Sequence, residues 1–162
     1  KVVDTRKTIP GLRKLAKQAV LAGGGINHRI GLHDAILIKE NHLGPWRGHS
    51  NPFSAAIART REAHPDRHLT VEVRDLDECR MALEATPDVI LLDNFTPPLL
   101  REAVATRDNE GSSTELEASG GVNLDSIREI AHTGVERISI GALTHSAPAL
   151  DLSMLIDPDV QT

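Results

Sequence analysis

Five basic residues in the first quarter of the chain and two carboxylates in its middle are the side chains best suited to chemistry. Arg6 and Lys7 stand in Asp4-Thr5-Arg6-Lys7-Thr8. His28 and Arg29 close the stretch Gly23-Gly24-Gly25-Ile26-Asn27-His28-Arg29, and Lys39 follows the apolar run Ala-Ile-Leu-Ile. Guanidinium groups grip carboxylates and phosphates bidentately, whereas lysine acts as a mobile point charge. Separate basic nodes in a chain of net charge −5 point to a small ligand carrying several negative charges. Glu72 and Asp93 come from two later apolar runs. Such a pair can hold Mg²⁺ directly or through water, helped by ligand phosphates, or can stabilise a developing cation. The plainer reading is a structural network with neighbouring Lys and Arg. Ser119-Gly120-Gly121, and one run later Gly141-Ala142-Leu143-Thr144-His145, are turns whose backbone N–H groups suit an anion, phosphate foremost. Their plainer reading is an ordinary strand-to-helix turn.

Other polar side chains are read as structural. Lys14 and Lys17, on a helical stretch, are expected on a solvated face. Lys39 differs, because an apolar run delivers it towards the interior. His33, His42, His49, His64, His68 and His132 lack the spacing of a zinc site and are expected on the surface or in loops. His42 and His49 lie in a Gly/Pro-rich loop that could cover a site. Cys79, mid-helix with no base beside it, is expected to be a buried apolar residue.

The elements that must position these groups alternate. Strands are expected at residues 2–3, 34–38, 69–73, 88–92, 114–118 and 135–140. Helices are expected at 11–22, 52–63, 75–85, 97–107 and 124–132, with a loop over 41–52 and a mixed tail over 147–156. Leu12, Leu15, Ala16 and Ala19 share one face of the first helix. Ser50 or Asn51, Asp75 and Thr96 are candidate N-caps. Glu72, Asp93, Glu117 and Ser139 are separated by 21, 24 and 22 residues, about one βα unit per step with right-handed crossovers. In such folds the carboxyl ends of all strands meet on one face. The fold class is therefore α/β: a parallel barrel, open or with fewer than eight strands. A doubly wound open sheet is the alternative, disfavoured by the lack of a Gly-x-Gly-x-x-Gly after the first strand.

Bulk properties narrow the partners. The chain has 162 residues, 40% hydrophobic, with one Trp, two Phe and no Tyr. That supports one domain with an aliphatic core and argues against a base-stacking surface. Negative net charge argues against duplex nucleic acid. One cysteine excludes an intrachain disulfide and makes a reducing compartment, the cytoplasm, the default. No apolar run approaches the roughly 20 residues of a membrane span. The chain opens inside a strand without Met, so it is expected to be part of a longer polypeptide.

Taken together, the seven stretches resemble the quinolinate phosphoribosyltransferases, also called carboxylating nicotinate-nucleotide pyrophosphorylases. The carriers are Asp4–Thr8 with Pro10-Gly11, Gly24–Arg29, Ile38–His42, Val71-Glu72-Val73, Leu91–Phe95, Glu117–Gly121 and Gly141–His145. The resemblance implies transfer of phosphoribosyl from phosphoribosyl pyrophosphate to quinolinate. The products would be nicotinate mononucleotide, pyrophosphate and CO₂, in de novo NAD biosynthesis with Mg²⁺ as cofactor. It implies that Arg6, Lys7, His28, Arg29 and Lys39 bind quinolinate. Glu72 and Asp93 would face the ribose and the metal, and Ser119, Gly120, Gly121, Gly141 and His145 would hold phosphate. Lys7, Lys39, Glu72 and Asp93 are the implied catalytic residues. It implies further that residues 1–162 form the catalytic barrel of a two-domain chain. In that family an N-terminal sandwich domain precedes the barrel, and a partner subunit of a homodimer adds a further Arg. A related phosphoribosyltransferase for another base, and an inactive barrel fragment, are the competing readings.

Overall fold

Short stretches of two to five residues, most of them rich in valine, isoleucine and leucine, set six parallel strands in this computed structural model, which describes residues 1–156. The strands are β1 (Val2–Val3), β2 (Ile36–Ile38), β3 (Leu69–Val73), β4 (Val89–Asp93), β5 (Glu115–Ser119) and β6 (Arg137–Ser139). The helices are α1 (Arg13–Ala22), α2 (Pro52–Ala63), α3 (Leu76–Glu84), α4 (Pro97–Asn109), α5 (Ile127–Ala131) and α6 (Ala142–His145). Sheet order is β1-β6-β5-β4-β3-β2, parallel throughout. A single bridge between Val3 and Ile26 extends the β1 edge by one residue. The Ile26 N–H donates to Val2, and the Asp4 N–H donates to Ile26. The sheet thus curls as an open barrel, with β2 and the Ile26 segment as its two edges.

Alternation along each strand separates two environments. Val71, Val73, Ile90, Leu92, Leu116 and Ala118 pack outward beneath the helices with Phe53, Cys79, Leu83 and Leu100. The opposite face carries a register row of a different kind: Glu72 beside Leu91, Leu91 beside Glu117, Glu117 beside Arg137. Asp93 beside Ser119 lies one layer above. Two charged layers inside a barrel need partners, because an isolated buried charge is strongly disfavoured.

Local signals account for most boundaries. Asn51 and Asp75 cap α2 and α3, accepting from the N–H groups of Ser54 and Glu78 at 3.1 and 2.8 Å. Thr96 occupies the cap position of α4 without a side-chain hydrogen bond; Pro97 at the first turn sets that start instead. Residues 40–46 are not open loop but a 3-10 turn, closed where His42 Nδ1 accepts the Lys39 N–H at 2.9 Å. The fifth helix is shorter than expected because the Asn123 side chain accepts from both Asp125 and Ser126 at 3.0 Å, which delays its start to Ile127. The tail over 147–156 has no regular structure.

The first helix corrects two expectations. It buries Lys17 and Val20, while Leu12 and Leu15 stay 45% and 63% exposed. Lys17 is 3% exposed, not solvated. Its amine is drawn inward by Asp4, which is fully buried at the end of β1 and lies 2.5 Å from Lys17 Nζ. Cys79 is buried as expected, and burial together with Glu110 pushes its thiol up to about 11. Among the described residues no helix is long and apolar enough to cross a membrane.

Candidate active site

The carboxyl ends of all six strands open into one cleft of about 750 Å³. Arg6, Lys7, His28, Arg29 and Lys39 line it from the front of the chain. Glu72 and Asp93 line it from the middle, and Ser119, Gly120, Gly121, Gly141 and His145 from the rear. Every residue singled out for chemistry is therefore at this cleft. Leu37, Leu91 and Val122 add an apolar floor.

The cations are crowded. Burial and then the charge of Arg6 pull the Arg29 guanidinium below its ordinary value. Arg29 Nη1 donates to the Ala35 carbonyl at 3.3 Å, which reaches across the open edge of the barrel. The Arg6 Nε is buried with no hydrogen-bond partner. Clustered guanidiniums with no ion-pair partner among the described residues present a field for an anionic ligand.

His28 is held neutral. Burial first, then Arg137, Arg29 and Lys17, push it down from 6.5 to about 4. Its Nδ1 accepts the Arg29 N–H at 2.8 Å, which leaves the proton on Nε2. The 3.6 Å approach of Nε2 to Glu117 is therefore not an ion pair. Glu117 is fully buried, and burial raises its carboxyl. It accepts from the Ser139 hydroxyl and lies 2.8 Å from Arg137 Nε. That contact is close but poorly aligned, since neither atom completes a hydrogen bond. Sequence reasoning assigned no role here to Glu117, Arg137, Ser139 and Asn94, although Glu117 and Ser139 mark strand ends and Asn94 lies in a matching stretch. Period two from Ser119 and from the end of β6 would have found the first three.

The two carboxylates differ. Glu72 pairs with Lys39, whose side chain is 43% exposed. Asp93 has no ion-pair partner among the described residues, and its Oδ2 accepts from Asn94 Nδ2 at 2.9 Å. The network reading thus holds for Glu72 and fails for Asp93. Among the described residues no three His, Cys, Asp or Glu side chains converge as a metal cluster.

The glycine turns are shaped by close approach. Asn94 has φ +58° and donates its N–H to the Ser119 carbonyl at 2.8 Å. Gly120, at φ +104°, packs so tightly on it that a Cβ would fall 2.1 Å from Asn94 Oδ1. At Gly141 a Cβ would meet His145 Nε2 at 2.8 Å, because that ring folds back over the turn. Thr144 is buried and donates to the Lys7 carbonyl at 2.7 Å, tying the last turn to the Arg6-Lys7 loop. Left-handed backbone and close packing cluster where a ligand must be approached. The remaining histidines give no second site: His33, His42, His49, His64, His68 and His132 are all exposed.

Comparison with known proteins gives one consistent result. The family model described as quinolinate phosphoribosyl transferase, C-terminal domain, matches residues 1–155. The nicotinate-nucleotide pyrophosphorylase (carboxylating) of Mycobacterium leprae is 43% identical over 95% of this chain and 53% of its own length. Among solved structures, the nicotinate-nucleotide pyrophosphorylase of Francisella tularensis superposes with a TM-score of 0.84 at 44% identity, covering 94% of this chain and 51% of that one. NadC from Streptococcus pyogenes superposes at 0.86 with 37% identity, covering 96% and 52%. The chain spans about half the length of the relatives it matches. A parallel barrel whose cationic front loops face two acidic strand ends and two glycine turns, matched along its length by that family model, belongs to the quinolinate phosphoribosyl transferase family.

Proposed function

We propose that the complete protein transfers phosphoribosyl from phosphoribosyl pyrophosphate to quinolinate, with loss of CO₂, to give nicotinate mononucleotide and pyrophosphate. The observation that carries this reading is the convergence on one cleft of Arg6, Lys7, His28, Arg29 and Lys39 with the carboxylates Glu72 and Asp93. A flat dianionic acid needs several cations to hold and orient it. Arg6, Arg29 and Lys39 bind its two carboxylates, neutral His28 donates through Nε2, and Leu37 and Leu91 meet the ring.

Displacement at the anomeric carbon builds positive charge on the ribose. Asp93, which has no ion-pair partner among the described residues, stabilises it together with Glu72. Negative charge grows on the departing pyrophosphate, and Lys7 offsets it. Ser119, Gly120, Gly121, Gly141 and His145 hold the 5′-phosphate at the two glycine turns. The positive charge of the ribosylated ring nitrogen then stabilises the electron pair left on the adjacent carbon as CO₂ departs, and a proton from water takes the place of CO₂ on that carbon, so that step needs no further cofactor. The donors Glu72 and Asp93 fit Mg²⁺, a hard cation satisfied by one or two carboxylates plus substrate oxygens and water; when bound it would add positive charge beside the leaving pyrophosphate.

In the complete protein the exposed apolar side chains of this front segment, Leu12, Leu15 and Leu32 among them, are surface that the second subunit of a homodimer would cover. A cytoplasmic location accords with the single free cysteine. The test is product formation by the full-length protein from quinolinate and phosphoribosyl pyrophosphate with Mg²⁺, against nicotinate as the rival acceptor. Nicotinate mononucleotide with CO₂ from quinolinate is expected. Turnover of nicotinate alone would overturn the assignment.

A further inference from the structure

Lys17 and Asp4 form a buried ion pair that no step of the proposed reaction uses. Asp4 is 0% and Lys17 3% exposed, and their charged atoms are 2.5 Å apart. Desolvating two ions costs more than their attraction returns in many folds, and an apolar pair of similar volume is often as stable. Stability alone is therefore a poor reason for this pair.

Its remaining contacts supply a better one. Lys17 Nζ donates to the carbonyls of His28 and Arg29, each at 3.2 Å. Asp4 Oδ1 also accepts the His28 N–H at 2.7 Å. In the amide orientation that satisfies both its ends, Asn27 donates to Asp4 Oδ2 at 2.7 Å and to the Lys17 carbonyl at 3.0 Å. One buried pair thus gathers three segments that are remote in sequence: the end of β1, the inner face of α1, and the backbone of residues 27–29. That backbone lies at the open edge of the barrel, where the sheet supplies only the Val3–Ile26 bridge. Without a further tether, nothing in the sheet would orient His28 and Arg29. Both carbonyls turn inward to Lys17, and both side chains line the cleft.

We infer that Lys17 and Asp4 are positioning residues for acid binding: the pair holds the His28–Arg29 backbone so that the imidazole and guanidinium face the cleft together. The inference deepens the function proposed above and rests on it. A misplacement on the order of 1 Å in a binding group costs up to about a hundredfold, so the effect should be large and confined to the acid substrate.

The test uses the full-length protein and removes both charges at once, Lys17→Met with Asp4→Asn, so that no orphaned ion is left inside. Quinolinate affinity by calorimetry, KM for both substrates and the melting temperature are measured together. The expected result is a quinolinate Kd and KM raised about tenfold or more, a phosphoribosyl pyrophosphate KM within about threefold of the parent, and a melting temperature near the parent. Parent-like quinolinate affinity overturns the inference, as does an equal rise in both KM values. Asn27→Ala, which leaves the ion pair in place but removes its amide tie, provides a second reading if the double variant does not fold. It should raise the quinolinate KM severalfold, and an unchanged KM overturns the inference. The unaltered protein is the control that separates the two readings. If it binds no quinolinate, the proposed function fails and this inference with it; if it binds and the variants bind equally, only the inference fails.

Discussion

Gly120→Ala is the substitution whose effect can be worked most fully from the geometry. At φ +104° an L-residue carries a backbone penalty of about 1–2 kcal/mol. The new Cβ would also lie 2.1 Å from Asn94 Oδ1, 2.7 Å from Cγ and 3.1 Å from Cα. The amide can rotate away only by giving up its donation to Asp93. The Cα cannot retreat, because Asn94 is itself at φ +58° and its N–H is bound to Ser119. The combined cost should be about 2–4 kcal/mol, at the upper end of the range for strained positions. Gly111→Ala is the matched control: it sits at φ +63° with no heavy atom within 4 Å of the added Cβ and lies outside the cleft. It should lose only the backbone share. Denaturant unfolding of both variants in the full-length protein, with KM for phosphoribosyl pyrophosphate, measures the difference. A KM rise of about tenfold or more is expected for Gly120→Ala alone, from displacement of the N–H groups proposed to hold the phosphate. Equal stability losses in the two variants, with unchanged KM, would refute the close-approach reasoning.

Three further outcomes are expected. Arg29→Ala should weaken quinolinate binding by about tenfold or more while altering phosphoribosyl pyrophosphate binding far less; calorimetry with each ligand checks it, and equal losses would remove Arg29 from the acid site. Asp93→Asn should lower kcat by about a hundredfold or more with little change in melting temperature, because among the described residues Asp93 has no ion-pair partner to lose, only the hydrogen bond from Asn94; a collapse of the fold would restore the network reading. Acid should destabilise the fold through His28. Its folded value, about 4, lies below the ordinary 6.5, so the unfolded chain takes up the proton first. Stability present above pH 6.5 is then lost as pH falls towards 4, by up to about 3 kcal/mol. His28→Gln should flatten that slope in denaturant melts between pH 7 and 4.5, and a slope identical to the parent would contradict the assigned burial.

The alternation of apolar runs with helical stretches is enough to place six strands and to gather the residues at their carboxyl ends into one pocket. Such residues are legible because a parallel barrel converts sequence position directly into place. The interior row was harder. Glu117 and Arg137 sit two residues before Ser119 and Ser139, inside runs that read as buried strand, and their partnership depends on cross-strand register. Lys17 was misread for a different reason. Helical periodicity marked the Leu12–Leu15 face as the inner one, yet burial there follows Asp4, a tertiary partner 13 residues away. The 3-10 turn at 40–46 lies in a Gly- and Pro-containing stretch without helical periodicity, and its start is set by a reciprocal pair of bonds, Lys39 N–H to the His42 ring and His42 N–H to the Lys39 carbonyl.

A crystal structure of the full-length protein with quinolinate tests the assignment of this cleft most directly. The acid is expected with its carboxylates at Arg6, Arg29 and Lys39 and its ring nitrogen turned towards the side that holds Asp93. Quinolinate bound elsewhere, such as in the second cleft at the opposite strand ends beside Thr86, Asp88 and Ser112, would contradict it.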